Sequence, residues 1–265
     1  ELFERDGRNI RLTKAGQALV PMAQQIVQMA ISAEENIRAS NGRVVGNLTI
    51  GCSTASGKYI LPHVVARFQR LYPDVHVAIP VVSRERVLHG VPSGEYDVGV
   101  VGRRAPGADI HYFPFFTDRL VLIVPTSHRW ARAGVIAPAE LLTERFICRE
   151  PEASCRLITA RELAKVGINV DDLDIVMEVG NPEALAMAVE YGIGVSFVSP
   201  LAANPRLMLG RLAIVEVEGV DLRNDVEIVC SCGRPASPVQ TEFLSFVSQQ
   251  QTRLGIEMLA DGRIV

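Results

Sequence analysis

The chain has 265 residues, of which 48% are hydrophobic and 22% are charged, and its formal net charge is −3 at pH 7. This length and composition fit one large or two small globular domains and argue against intrinsic disorder. The small negative charge provides no general attraction to nucleic acid, so any contact with DNA has to be local. No apolar run approaches the roughly 20 residues of a membrane span, and nothing is typical of a signal peptide, so we expect a cytoplasmic protein.

The N-terminal segment predicts a long helix that packs against a partner chain. Apolar residues alternate at three- and four-residue steps, as in a coiled coil, at Leu19, Met22, Ile26, Met29 and Ala33. The sequence places an N-cap at Thr13 and a stop at 40–42. Pro21 either bends the helix or marks the start of its regular part. The alternative to a partner chain is a helix that packs on its own domain.

From Val45 onward strands and helices alternate in two units. The first unit predicts strands at 48–52, 75–79 and 97–101, with helices at 58–71 and near 84–91. The second unit predicts strands at 120–124, 146–148, 175–179 and 195–198, with helices at 138–142, 155–166 and 182–191. The strand at 226–230 and the helix at 238–251 would return to the first unit. This order predicts parallel sheets in two hinged α/β lobes with a cleft between them.

Several short motifs along this pattern resemble those of LysR-type transcriptional regulators. They are Leu61-Pro62, Phe68, Tyr72-Pro73-Asp74-Val75, Gly94-Glu95-Tyr96-Asp97-Val98-Gly99, Pro125-x-x-His128 and Gly192-Ile193-Gly194-Val195. The opening run 2–16 is similar to the end of the winged helix-turn-helix in that family. The segments 146–151 and 178–184 look closest to regulators of carbon fixation and sulfur assimilation. The loop 152–156 departs from their pattern, so their particular effectors are not carried over.

The resemblance implies an α/β fold with two Rossmann-like lobes joined by two crossover strands, as in type II periplasmic binding proteins, after a long linker helix. The expected domains are a winged helix-turn-helix remnant at 1–13, a dimerisation linker helix at 14–41, regulatory lobe I at 45–118 plus 222–250, regulatory lobe II at 119–221 and a tail at 251–265. The resemblance also implies that a DNA-reading domain stands upstream of Glu1. The wing makes Arg5, Arg8 and Arg11 candidate DNA contacts, with a solvated edge as the alternative.

Three predicted helix N-termini should face the cleft, because ligands of such sheets bind beyond the carboxyl ends of the strands. Their free N–H groups and partial positive charge favour a small anion, such as a carboxylate, a phosphate or a sulfate ester. The candidate effector-binding residues are Ser53, Thr54, Ser56, Gly102, Arg103, Arg149, Glu150, Ser154, Arg156 and Asn181. Helix capping is the alternative role of the serines and of Asn181. Arg103 could be a surface residue, and Arg149 could pair with Glu150 instead of a ligand.

Catalytic and metal-binding patterns are missing from the sequence. There is no nucleophile elbow, zinc-protease motif, P-loop or dinucleotide fingerprint, and the five histidines are scattered. The five cysteines form no C-x-x-C pair, which predicts reduced thiols. Cys155 lies near the reactive cysteine of peroxide-sensing relatives, but residues 156–229 contain no resolving cysteine. We therefore expect no enzyme activity, no cofactor, no metal site and no thiol switch.

The expected function is that of an effector-sensing regulatory domain of a LysR-type DNA-binding transcriptional regulator, which binds a small anionic metabolite in the interlobe cleft. The expected partners are DNA, this metabolite and further copies of the chain in a dimer or tetramer, with no membrane. The alternative is a periplasmic-type solute-binding protein for transport. That protein would need an export signal and would have no use for the coiled-coil seam. An enzyme on the same scaffold is a second alternative, and it would need an acid–base pair or a cofactor site.

Overall fold

A two-stranded hairpin and a long helix precede the α/β part of the chain. The computed structural model describes residues 1–7, 9–39, 43–52, 55–102, 104 and 109–251. Strands β1 (Phe3–Asp6) and β2 (Asn9–Leu12) pair antiparallel and lead into helix α1 (Lys14–Ala39). The Thr13 hydroxyl accepts a hydrogen bond from the backbone N–H of Gly16, which confirms the predicted N-cap.

Helix α1 passes through Pro21 without interruption, so the expectation that its regular part begins near Pro21 is wrong. Proline costs this helix one backbone hydrogen bond, and the remaining turns continue on both sides. The side chains of Leu19, Met22, Ile26 and Met29 are all exposed, with 61% exposure at Met22 and 64% at Ile26. The side chain of Ala33 lies outside the described part. The seam is therefore an apolar stripe that is open in the single chain.

The elements of the α/β part follow in chain order. The first lobe begins with β3 (Gly46–Cys52), α2 (Ala55–Leu71), β4 (Val75–Ala78), α3 (Arg84–Ser93), β5 (Val98–Val101) and β6 (Ile110–Arg119). The second lobe contains β7 (Val121–Pro125), α4 (Arg129–Ala133), β8 (Val135–Ile136), β9 (Arg145–Cys148), α5 (Ser154–Lys165), β10 (Asp174–Glu178), α6 (Pro182–Glu190), β11 (Ser196–Val198), α7 (Pro200–Met208) and β12 (Leu212–Val217). Strand β13 (Arg223–Ser231) and helix α8 (Pro238–Gln251) complete the first lobe.

The first lobe is built on a five-stranded sheet in the order β4-β3-β5-β13-β6. Strands β4 and β5 run parallel to β3, as predicted, whereas β13 runs antiparallel to β5 and β6. Because β6 leaves this lobe for the second and β13 returns from it, their long antiparallel pair forms the double connection between the lobes. The fold of two α/β lobes with two crossovers is the predicted one.

The second lobe departs from the parallel order that its sequence pattern predicted. Strands β11 and β12 both run antiparallel to β7, and parallel pairing is found between β9 and β10 and between β8 and β12. The predicted helix at 138–142 is a 3₁₀ helix (Pro138–Thr143). Alternation of strands and helices specifies the elements, but strand direction depends on long-range pairing that the local pattern does not encode.

The lobes have separate hydrophobic cores that meet beside α2. In the first core Phe68 of α2 packs edge-on against Phe243 of α8, with ring centroids 5.3 Å apart. In the second lobe Trp130 and Phe146 are buried in one cluster, and Leu185 of α6 belongs to another. Each such fully buried side chain contributes roughly 1.5–3 kcal/mol. Tyr59 packs against clusters of both lobes, so α2 contributes to the contact between them.

Candidate functional site

A cleft of about 550 Å³ lies between the two lobes. The first lobe lines it with Lys58 of α2 and with the start of α3 at 83–85. The second lobe lines it with residues around the starts of α5 and α6. Asp118 of β6 and Asn224 of β13 line it from the two crossover strands, where they are register partners in the antiparallel ladder. This volume is in the range of sites for small metabolites.

Four of the described helices begin at the cleft, and they differ in how their first N–H groups are satisfied; α7 begins there without a side-chain cap. The Ser83 hydroxyl caps α3 by accepting from Arg86 N at 3.3 Å. The Asn181 side chain caps α6 by accepting from Ala184 N at 2.9 Å. Helix α5 has Ala153 at its N-cap position and no side-chain cap. Its free N–H groups and partial positive charge are therefore available to an anion in the cleft.

The basic side chains of the cleft have different partners. Lys58 forms an ion pair with Glu183, and Arg149 forms a bidentate pair with Glu150 at 2.7 and 2.8 Å. Arg84 has no ion pair or side-chain hydrogen bond with any residue that the structure describes. Acidic side chains also line the cleft, at Glu85, Asp118, Glu150 and Glu152. Because cations and carboxylates share this lining, an anion in the cleft would be attracted near Arg84 and the start of α5 and repelled near these carboxylates.

Both carboxylates that pair with these bases are ionised at neutral pH. Burial by itself would raise the pKa of Glu150, but the hydrogen bonds from Arg149 hold this pKa below its ordinary value. Burial would likewise raise the pKa of Glu183, and the hydrogen bond from Lys58 together with the neighbouring Tyr59 hydroxyl holds it low. Each base is therefore neutralised by an internal anion in the ligand-free protein.

Two neutral polar side chains complete the cleft wall. Ser199 and Asn224 are each only 4% exposed. The hydroxyl of Ser199 and the amide oxygen of Asn224 have no hydrogen-bond partner among the described residues. A buried polar atom without a partner costs about 1–3 kcal/mol, which a ligand with hydroxyl or amide groups would recover.

The structure brings four of the predicted effector-binding residues to the cleft, namely Arg149, Glu150, Ser154 and Asn181. Asn181 is the N-cap of α6, and Ser154 is the first residue of α5, after the cap position. Arg149 and Glu150 pair with each other, which was one of the two alternatives. Ser53, Thr54 and Arg103 lie outside the described residues, as does the side chain of Ser56.

Two predicted residues are not in the cleft wall. Gly102 follows β5 and is buried away from the lining. Arg156 donates to the carbonyl oxygen of Arg149 at 2.6 Å and to Glu178 at 3.0 Å. It lines a separate cavity of about 20 Å³, which has room for about one water molecule. Arg156, a candidate effector-binding residue, therefore holds these two oxygens within the second lobe instead of lining the cleft.

Sequence reasoning missed Lys58, the start of α3 with Arg84, and the polar residues Asp118, Ser199 and Asn224. The sequence did contain a signal that the start of α3 lines the cleft. Ser83 lies between a predicted parallel strand and a predicted helix, like the other candidate residues at helix starts. In the sequence, Lys58 follows the serine-rich segment 53–56 by a short interval. Asp118 and Asn224 carried no such signal, since their approach depends on the pairing of two strands that are distant in sequence.

Cys155 lies in the cleft wall beside Arg149. Burial raises the pKa of its thiol, and the charge of Arg149 only partly opposes this rise. Burial also raises the pKa of Cys148. A raised pKa keeps a thiol protonated, and a protonated thiol is less reactive than a thiolate.

The N-terminal hairpin exposes two of the three predicted wing arginines, Arg5 and Arg11. Arg8 lies outside the described residues. Among the residues that the structure covers there is no cluster of histidine, cysteine and carboxylate side chains that could hold a metal ion. Within that same part, no helix combines the length and the apolar character needed to cross a membrane.

The α/β part of the chain matches a known protein family. The model of the LysR substrate-binding domain matches residues 41–252, which include both lobes and the cleft. The chain belongs to the LysR family. A probable RuBisCO transcriptional regulator of Synechocystis sp. is 31% identical over 255 residues, which cover 94% of this chain and 73% of that protein. The two lobes are therefore the effector-binding domain of a LysR-type transcriptional regulator, as the sequence predicted.

Solved LysR-family structures share the fold. The regulatory domain of Synechocystis PCC6803 CcmR in complex with 2-PG has a TM-score of 0.68 at 24% identity, and the match covers 77% of this chain and 96% of that domain. The effector-binding domain of QuiR in complex with shikimate has a TM-score of 0.70 at 16% identity, and the match covers 79% and 98%. The LysR membership favours a regulator over a solute-binding protein for transport.

Proposed function

We propose that this LysR-type regulator senses a small anionic metabolite that also carries hydroxyl or other hydrogen-bonding groups. The observation that carries the proposal is the uncapped start of α5 in a cleft that also contains Arg84 without an ion pair in the described part. Ser199 and Asn224 would bind the neutral polar groups of the ligand. A purely apolar ligand would leave all of these groups unsatisfied.

Binding would act on transcription through the geometry of the two lobes. A ligand that contacts both walls favours one hinge angle, by no more than its difference in affinity for the two states. In a dimer or tetramer this change would move α1 and the spacing of the DNA-reading domains. The exposed apolar stripe of α1 supports self-association. We further propose that the protein acts on DNA in the cytoplasm and that the cleft binds its ligand without catalysis.

A thermal-shift screen tests the ligand class. The purified chain would be measured at fixed ionic strength against sulfate, inorganic phosphate, phosphorylated sugars, glycolytic acids, 2-PG and shikimate, with uncharged sugars as the comparison. We expect a saturable rise in melting temperature for at least one anion, since a ligand at 100 times its Kd stabilises the folded state by about 2.7 kcal/mol. A response confined to uncharged ligands would contradict the proposal.

Two arginine variants locate the response. Arg84→Ala removes a cleft cation that has no ion pair among the described residues, so we expect the anion response to weaken with little change in the stability of the free protein. Arg86→Ala is the matched control on the same helix, because Arg86 pairs with Glu95 at 2.8 Å and does not line the cleft. Equal loss of the response in both variants would place the anion elsewhere.

A further inference from the structure

Lys58 and Glu183 form an ion pair between the two lobes. Lys58 lies in the first turns of α2 in the first lobe, and Glu183 lies in the first turn of α6 in the second, 125 positions later. Both side chains are 34% exposed. This ion pair joins helix α2 of the first lobe directly to helix α6 of the second. The Arg149–Glu150 pair, in contrast, lies within one lobe and does not link the two.

The surroundings of Glu183 hold it in place as an anion. Lys58 contacts one of its oxygens, and its second oxygen, Oε2, is buried without a hydrogen-bond partner among the described residues. The Tyr59 hydroxyl lies nearby, and burial, followed by proximity to Glu183, raises the pKa of this tyrosine. Tyr59 packs against hydrophobic clusters of both lobes. The ion pair is therefore the polar edge of a direct contact between the lobes.

The two members of the pair are placed differently with respect to the cleft. Lys58 lines it, whereas Glu183 is not among the described residues of the lining. An anion in the cleft can therefore contact Lys58 without displacing a lining carboxylate of Glu183. A lysine ammonium on a flexible side chain carries three donors, so it can change its partner without a backbone movement.

We propose that Glu183 is an internal anion that holds Lys58 in the ligand-free protein, and that the negative group of the effector takes its place. This inference rests on the proposed function, because it assigns Lys58 to the same effector site. Exchange of one anion for another keeps the ammonium charge neutralised, so Lys58 does not have to be desolvated anew when the effector binds. At the same step the direct bridge between α2 and α6 is replaced by a bridge through the ligand.

The first experiment uses the ligand-free protein and hydrogen–deuterium exchange read by mass spectrometry. Glu183→Gln removes the charge that holds Lys58, so we expect faster exchange at residues 58–61 of α2, in the opposite lobe, as well as at the start of α6. Lys58→Met should do the same at the start of α6. Glu152→Gln is the control, because it removes one negative charge from the cleft wall without a contact to Lys58. Faster exchange in Glu183→Gln confined to α6 would overturn the bridge, since it would report only a local effect on that helix.

The second experiment measures the affinity for inorganic phosphate and for 2-PG by calorimetry. We expect Glu183→Gln to bind about tenfold more tightly than the wild type and Lys58→Met about tenfold more weakly, while Lys58→Arg retains most of the affinity. Equal tightening by Glu183→Gln and Glu152→Gln would overturn the exchange of partners, because the gain would then come from net charge alone. If no variant binds any anion but the ligand-free exchange is as expected, the proposed ligand class fails and the interlobe bridge stands.

Discussion

Ser199 illustrates how one side chain can be placed for a ligand instead of for the fold. Its hydroxyl is buried at the start of α7 and has no partner among the described residues. Ser196, three positions earlier, is also buried, but its hydroxyl donates to the carbonyl oxygen of Ile147 at 2.6 Å. The Ser196 hydroxyl therefore stabilises the fold through an internal hydrogen bond, whereas the Ser199 hydroxyl is available to bind a ligand in the cleft.

Substitution of Ser199 should change the affinity for the effector, whereas substitution of Ser196 should change the stability of the fold. Ser199→Ala removes no hydrogen bond within the described part of the free protein, so we expect unchanged or slightly higher stability and an affinity for the effector that is about tenfold lower, or about 1.4 kcal/mol. Ser196→Ala should lower the free energy of unfolding by about 1 kcal/mol and leave the affinity unchanged. Chemical denaturation and calorimetry measure both. Unchanged affinity in Ser199→Ala would remove this residue from the proposed site.

At the scale of the elements, the start of α5 combines an uncapped helix with a position in the cleft wall. Ala153→Asp would supply both a cap and a fixed negative charge at this helix N-terminus. We expect the free protein to gain about 1 kcal/mol of stability and the affinity for phosphate to fall, because the new carboxylate occupies the N–H groups that the anion would use.

A matched substitution separates capping from competition. Ala137 precedes the 3₁₀ helix at 138–143, also without a side-chain cap, and does not line the cleft. Ala137→Asp should therefore leave the affinity for phosphate unchanged, whatever its effect on stability. Thermal unfolding and calorimetry of both variants provide the test. If Ala153→Asp bound phosphate as well as the wild type, the anion would not lie at the start of α5.

Helix α1 exposes an apolar stripe, and we propose that a second copy of the chain covers it. Ile26 lies in the centre of the predicted seam and is 64% exposed in the single chain. We expect Ile26→Asp to weaken self-association by at least tenfold, because it would bury an unpaired charge in the contact. Val27 is 59% exposed but lies outside the seam, so Val27→Asp is the control. Sedimentation velocity over a range of concentrations measures both, and equal weakening would argue against the seam as the contact.

At the scale of the whole molecule, the two lobes are joined by the β6–β13 pair and touch at α2, so a ligand in the cleft should stabilise both. We expect a saturating anion to slow hydrogen exchange at the start of α3 in the first lobe and at the start of α5 in the second. Exchange in α4 should not change, because this helix lies away from the cleft. Protection of only one lobe would mean that the ligand does not bridge them, and the hinge mechanism would then fail.

The sequence by itself determined most of the elements of this protein. Periodicity and stop signals predicted α1, α2, α3, α5 and α6 close to their observed bounds, because these signals act over a few residues. The motifs that resemble LysR-type regulators also identified the fold, which the family match to residues 41–252 confirms. Strand β6 was not predicted, since Pro114 and a bulge opposite Val226 and Glu227 interrupt its pattern.

Only the tertiary structure decided which side chains meet. Arg156 was expected to bind a ligand and instead holds Glu178 and a backbone oxygen, whereas Arg84 and Lys58 were not considered and line the cleft. Asp118 and Asn224 face the same space because two strands from distant parts of the chain pair in one register. Helix starts can be located from local chemistry, but the side chain that reaches a shared space depends on strand direction, register and packing, and these are properties of the whole fold.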